Sequence, residues 1–255
     1  MANKTKLLRR KKLFLKNFKL MNRNKLALLF ASTFLLIVTH ASSQVARTLW
    51  SGAELQIPYS KAFSVTFSPE LRLTDKKRID DFILEAEAQL RIHKILRPTI
   101  SYRYYRFYDD PGEYFNGQRL GAGINSSVEL GRLKMTNRLF YFHRLITRYA
   151  YGYSIETRRE FREGIKITYN IRRTKLKPFV QAEIYYDLSP NRNYEFSKIR
   201  VRTGLEYPLN KRSSIVLFFQ IQDKLNTSNP LRTYTVGIFY NYKLPTPKPK
   251  SVDIE

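Results

Sequence analysis

A chain of 255 residues with 46 Lys and Arg against 21 Asp and Glu, a formal net charge of +25 and no cysteine excludes a disulfide scaffold and any zinc or iron–sulfur site built on thiolates. Residues 1–25 hold ten Lys and Arg and no acid, so +10 of the charge sits there and +15 is left for residues 44–255. On an exported chain that excess points to anionic lipid head groups or a basic lumen, and not to nucleic acid.

Export is read from the order of the first segment, 1–43. After the basic stretch, Leu26 to Val38 is apolar except for Ser32 and Thr33, and Ala41, Ser42 and Ser43 precede Gln44. Basic, apolar, then small is a secretory signal peptide, with cleavage after Ser43 and a mature start at Gln44. The apolar run has 13 residues, short of the roughly 18–20 a spanning helix needs. The start itself stays open between Met1 and Met21.

From Trp50 onward the apolar residues recur every second position, the period of a strand with one apolar and one polar face. Residues 48–58 and 62–73 read as a first hairpin, with Phe63, Val65, Phe67, Leu71 and Leu73 on one face; Pro69 predicts a bulge or an exposed edge there. Residues 79–93 alternate most cleanly. Phe82, Leu84, Ala86, Ala88, Leu90 and Ile92 face one way, and Ile83, Glu85, Glu87, Gln89, Arg91 and His93 the other. Uninterrupted alternation over about 11 residues exceeds the usual globular strand and matches a tilted crossing of a bilayer.

The same pattern predicts strands over 98–108, 118–131, 135–148, 161–172, 177–187, 196–207, 213–223 and 231–243. In 135–148, Phe140 and Phe142 share parity with Arg138 and Arg144, so that strand carries aromatics on its polar face as well. Short connections near 58–61, 94–97, 131–134, 172–175 and 208–211 alternate with longer polar ones near 74–78, 109–117, 148–156, 188–195 and 224–230, the asymmetry of an outer-membrane barrel with its long loops outside. The count is eleven. Because single-chain bacterial barrels have an even number, the expectation is an all-β, transmembrane, antiparallel up-and-down barrel of 10 or 12 strands over 44–243: ten if 48–58 does not span, twelve if two strands are merged within 134–172. Residues 244–255, with three prolines, read as a periplasmic tail.

The closing strand carries an assembly signal. Thr235, Gly237, Tyr240 and Tyr242 read as polar-x-Gly-x-x-aromatic-x-aromatic and resemble the C-terminal signal of bacterial outer-membrane barrels. Tyr240 and Tyr242 suit a membrane–water boundary, and Gly237 relieves crowding or admits another backbone.

The lumen parity holds Arg72, Glu85, Glu87, Arg91, Arg103, Arg119, Glu129, Arg162, Glu183, Lys198, Arg200, Arg202 and Glu206. This set reads first as a charge network filling a narrow lumen, and otherwise as carboxylates for acid–base work or a basic lining selecting anions. Two histidines follow the cleavage point, His93 at a strand end and His143 at a rim or loop base. No phosphate loop, dinucleotide fingerprint, metal-binding His pair or nucleophile elbow occurs, so no catalytic residue, metal or cofactor is expected.

Taken whole, residues 44–243 resemble the domain of unknown function 2490 family, outer-membrane barrel proteins found mainly in Bacteroidetes. The resemblance rests on Trp50 soon after the cleavage point, F-Y-F-H-R at 140–144, R-V-R-T-G-L-E-Y at 200–207 and the aromatic closing strand. It implies location and fold, and no activity. The resulting expectation is a monomeric barrel in the outer membrane of a Gram-negative bacterium, a narrow pore or a structural or interaction barrel. Its partners would be outer-membrane lipid, lipopolysaccharide and the barrel-insertion machinery. The alternative is a membrane-embedded hydrolase or acyltransferase with its site at the rim.

Overall fold

In the computed structural model the described residues are 44–74, 79–109, 113–148, 154–189, 195–228 and 230–247. The leader and the end of the tail lie outside them. Among the described residues there are eleven strands and no helix: β1 (Gln44–Pro58), β2 (Phe63–Thr74), β3 (Ile79–Leu90), β4 (Leu96–Asp109), β5 (Glu113–Leu130), β6 (Leu133–Arg148), β7 (Ser154–Tyr169), β8 (Lys177–Asp187), β9 (Glu195–Pro208), β10 (Ser213–Lys224) and β11 (Leu231–Lys243). They form a closed barrel in sequence order, with β11 completing the circle against β1. Every other neighbouring pair is antiparallel. The closing pair is parallel, in register from Gln44↔Leu231 to Gln56↔Lys243.

An even, wholly antiparallel barrel of ten or twelve strands is therefore corrected to eleven with one parallel seam. The physical reason is simple. β1 spans in full, and 133–169 folds as two strands of 16 residues with none hidden between them. Once the hairpins are made, the first and last strands of an odd set run the same way. Closure of the sheet, which alone leaves no unpaired edge, must then be parallel.

The loop asymmetry is corrected as well. Connections at the end where β11 finishes are 59–62, 91–95, 131–132, 170–176 and 209–212; at the other, here called the loop end, they are 75–78, 110–112, 149–153, 188–194 and 225–230. The two sets are of similar length because stretches read as loops continue the ladder. Residues 113–117 pair with 105–109, and Tyr108 packs edge-on to Tyr114 at 5.3 Å. Gly117 belongs to that strand because the Tyr105 ring occupies the place of its Cβ, 2.2 Å away. Pro69 makes no bulge. It pairs with Leu84 of β3, while the β1–β2 register skips Ala53 and Glu54 opposite it, where a residue without N–H cannot donate.

Parity sorts the two faces as expected. Leu84, Ile100, Leu120, Ile165, Leu205, Leu217, Val236 and Ile238 are exposed on the outer face. Outward exceptions sit on β6 and β7, where Asn137 donates to Glu163 Oε1 at 3.1 Å. The core is the lumen. Trp50, Phe179 and Phe218 pack there with Val216 and Phe239, and large faces small along the seam: Trp50 lies beside Gly237 and Gly52 beside Phe239. Thr48 and the fully buried Thr235 share a hydroxyl hydrogen bond of 2.8 Å across it.

Candidate functional site

Inward-facing side chains from all parts of the wall meet in one layer. On β3, Glu85 accepts from Arg103 of β4 and, at 3.1 Å, from Arg119 of β5. The Arg119 guanidinium lies 4.0 Å from the centre of the Phe142 ring on β6, and Arg162 of β7 lies 4.3 Å from the same ring. Arg162 in turn stands 3.9 Å from Glu183 of β8, which also accepts from Arg200 of β9 at 3.1 Å and from the Tyr185 hydroxyl at 2.5 Å.

The layer then crosses to the seam. Arg200 donates twice to Gln222 and Arg202 twice to Gln220, both on β10. Arg202 lies over Phe218 at 4.1 Å, and Arg72 of β2 over Trp50 at 3.9 Å, with Arg200 and Arg202 within 6 Å of the same indole. Phe239 of β11 packs on Phe218 at 5.8 Å. Every strand thus contributes to the layer.

Density distinguishes a plug from a lining. Water reaches the whole lumen of an open pore, yet side-chain exposure is 4% for Arg119, 11% for Glu183, 13% for Arg200 and 18% for Arg162. Contacts also skip strands: Arg138 of β6 donates to Glu87 of β3 at 2.5 Å. Each ion is paired or hydrogen-bonded, the condition under which buried charge is tolerated.

Spaces remain beside the layer. Toward the loop end a cavity of about 300 Å³ is lined by Arg72, Asp81, Ile83, Arg103, Tyr105, Phe107, Arg144, Ile146 and Arg158. A smaller one of about 70 Å³, among Arg138, Phe140, Gly164 and Glu183, lies beneath. Beyond it, on the tail side, Glu54 is exposed to solvent on the lumen parity of β1.

Most residues expected in a lumen network are in it, and two are not. Arg91 is in an exposed turn after β3, and Glu129 is exposed at the β5–β6 rim, 3.9 Å from Lys134. Both keep the lumen parity, but Arg91 lies just past the end of β3 and Glu129 is the second-last residue of β5. Lys198 pairs with Glu160 at 3.1 Å and Glu206 with Lys177 at 3.3 Å. Arg158 and Glu160 fall before the strand expected over 161–172, because the outward positions beside them, Thr157 and Arg159, are as polar as the inward ones.

Neither histidine is in the lumen. His93 lies in the turn after β3, its Nδ1 accepting from the Ile95 N–H at 3.3 Å, and His143 faces outward beside Arg159. The rim or loop-base position expected for His143 is therefore replaced by an outward one within β6. Among the described residues no group of His, Asp and Glu is arranged to hold a metal ion.

The profile described as Protein of unknown function (DUF2490) matches residues 47–233, from within β1 to the start of β11. The chain belongs to that family. The matched span of this DUF2490 protein contains every member of the layer except Phe239. Two solved barrels are similar to it. The translocator domain of autotransporter NalP from Neisseria meningitidis is 14% identical, with 67% of this chain and 71% of that chain covered and a TM-score of 0.44. The beta domain of the Bordetella autotransporter Brka is 9% identical, with 69% and 81% covered and a TM-score of 0.44. No curated protein sequence matches the chain.

Proposed function

We propose that this DUF2490 protein is a Gram-negative outer-membrane barrel that is closed at rest, a structural or interaction barrel and not an open pore. The layer running from Trp50 through Glu85, Phe142 and Glu183 to Arg200 and Phe218 carries the reading, because its side chains fill the cross-section that a solute would need. Membrane residence is supported by the apolar outer face, by closure of the sheet without an unpaired edge strand, and by the basic–apolar–small order of residues 1–43.

Refolded protein in a planar bilayer should be silent under voltage. Steady current in discrete steps would overturn the closed reading. Orientation is tested separately, since the chain has no native cysteine. Asn226→Cys, at the loop end, should react with a membrane-impermeant maleimide on intact cells, whereas Lys211→Cys, at the tail end, should react only after the outer membrane is permeabilised. The reverse pattern would invert the orientation. Equal labelling of both on intact cells would remove the outer-membrane assignment.

A further inference from the structure

We propose that the loop-end cavity is a binding site for a small organic anion, a carboxylate or phosphate head group on an apolar body. Its volume, about 300 Å³, reaches the lower limit of typical small-molecule sites. Of the four guanidiniums in its wall, three are answered by carboxylates: Arg72 by Glu70 and Asp81, Arg103 by Glu85 and Arg158 by Glu156. Arg144 has no carboxylate within 4.0 Å among the described residues; it lies over the Tyr105 ring, 5.2 Å from its centre, and feels Glu160 only at longer range.

Unused donors point the same way. Tyr105 is more than nine-tenths buried, and among the described residues neither its hydroxyl nor Arg103 Nε has a hydrogen-bond partner. A buried donor left unpaired is costly, and an acceptor brought by a ligand would relieve it. An anion suits such a wall best, because charge-assisted bonds from guanidinium to carboxylate or phosphate are both short and directional. The one carboxylate in the wall, Asp81, is held by Arg72 at 3.0 Å, and the rest of it, apart from these donors, is apolar. Ile83, Phe107 and Ile146 are apolar, and Ile83 and Ile146 are buried, which favours a ligand with a hydrocarbon or ring portion over a bare inorganic ion.

The site goes beyond the closed-barrel reading and does not depend on it, since binding is measured on the full chain refolded in detergent and conductance in a bilayer. Isothermal titration with phenyl phosphate and benzoate should show one saturable site for at least one of them. Inorganic phosphate should bind more weakly and neutral benzyl alcohol should give no saturable heat. Arg144→Gln should weaken binding about tenfold or more, and Ile146→Trp should abolish it by filling the cavity with every charge in place. Lys211→Ala, at the opposite end, should bind as the parent does. Folded fraction is checked by heat-modifiable mobility, and if Arg144→Gln does not refold, Ile146→Trp decides. Absence of a saturable site overturns the proposal, as does full affinity in either cavity variant. Inorganic phosphate binding as tightly as phenyl phosphate would overturn the organic part of the assignment.

Discussion

Two kinds of packing meet in the lumen at Trp50. On the seam side, rings occupy the places of missing side chains: Phe218 lies 2.1 Å from where a Cβ on Gly237 would be, and Phe239 lies 2.7 Å from that of Gly52. Across from it, on β3–β9, guanidiniums and carboxylates alternate with Phe142 and Tyr185. The seam wall interlocks mainly by shape, and the other adds charge pairs to the same fit of ring over glycine, which recurs at Gly121 beside Phe142. The difference teaches that packing here has a part set by volume and a part set by pairing, and that a substitution should be felt by one and not by the other.

The largest expected effect is on the charged wall. Glu183→Ala strands Arg200 and Arg162, and loss of one partner of a buried pair typically costs about 3 to 5 kcal/mol. Urea unfolding in micelles should show that loss, with much of it recovered when Arg200→Ala is added. If the double variant is as unstable as the sum of the singles, the two groups are not coupled and the charged wall is only a solvated lining.

On the shape wall, Phe218→Ala should cost about 3 kcal/mol. Gly237→Ala alone should cost about 1 to 3 kcal/mol, because the Phe218 ring must move. Introduced into Phe218→Ala, the same glycine change should cost almost nothing. An unchanged penalty in that background would mean that Gly237 is required by its backbone and not by the ring.

The smallest effect sharpens the boundary between the walls. Glu183 and Gly237 share no partner, so Glu183→Ala with Gly237→Ala should be additive within about 0.5 kcal/mol. A larger deviation would show that the two walls form one cooperative unit through Trp50, over which Arg72, Arg200 and Arg202 all lie.

Parity was legible in the sequence because a strand writes it locally. Glu85, Arg103, Arg119 and Glu183 could be assigned to the lumen, and Leu84, Ala88, Ile199 and Leu217 to the outside, from their neighbours alone. Pairing was not legible, since the partner of Arg138 is 51 positions away on another strand. The direction of closure follows from the count of eleven, since an odd set of hairpin-linked strands closes in parallel, but the even number usual for single-chain bacterial barrels argues against that count. Strand ends were obscured where outward positions are polar, as at Asn116 and Gln118 or at Thr157 and Arg159.

The parallel seam makes the order of the chain irreversible. In a barrel with an even number of strands the two chain ends come out at the same rim, so a short linker can join them and a new opening can be cut at any loop. Here Gln44 and Lys243 sit at opposite ends of neighbouring strands. Thirteen residues at about 3.3 Å each put them on the order of 40 Å apart. A linker would have to run the height of the wall, through the filled lumen or along the apolar outer face. Circular permutation, readily made in even barrels, has no short route in this one.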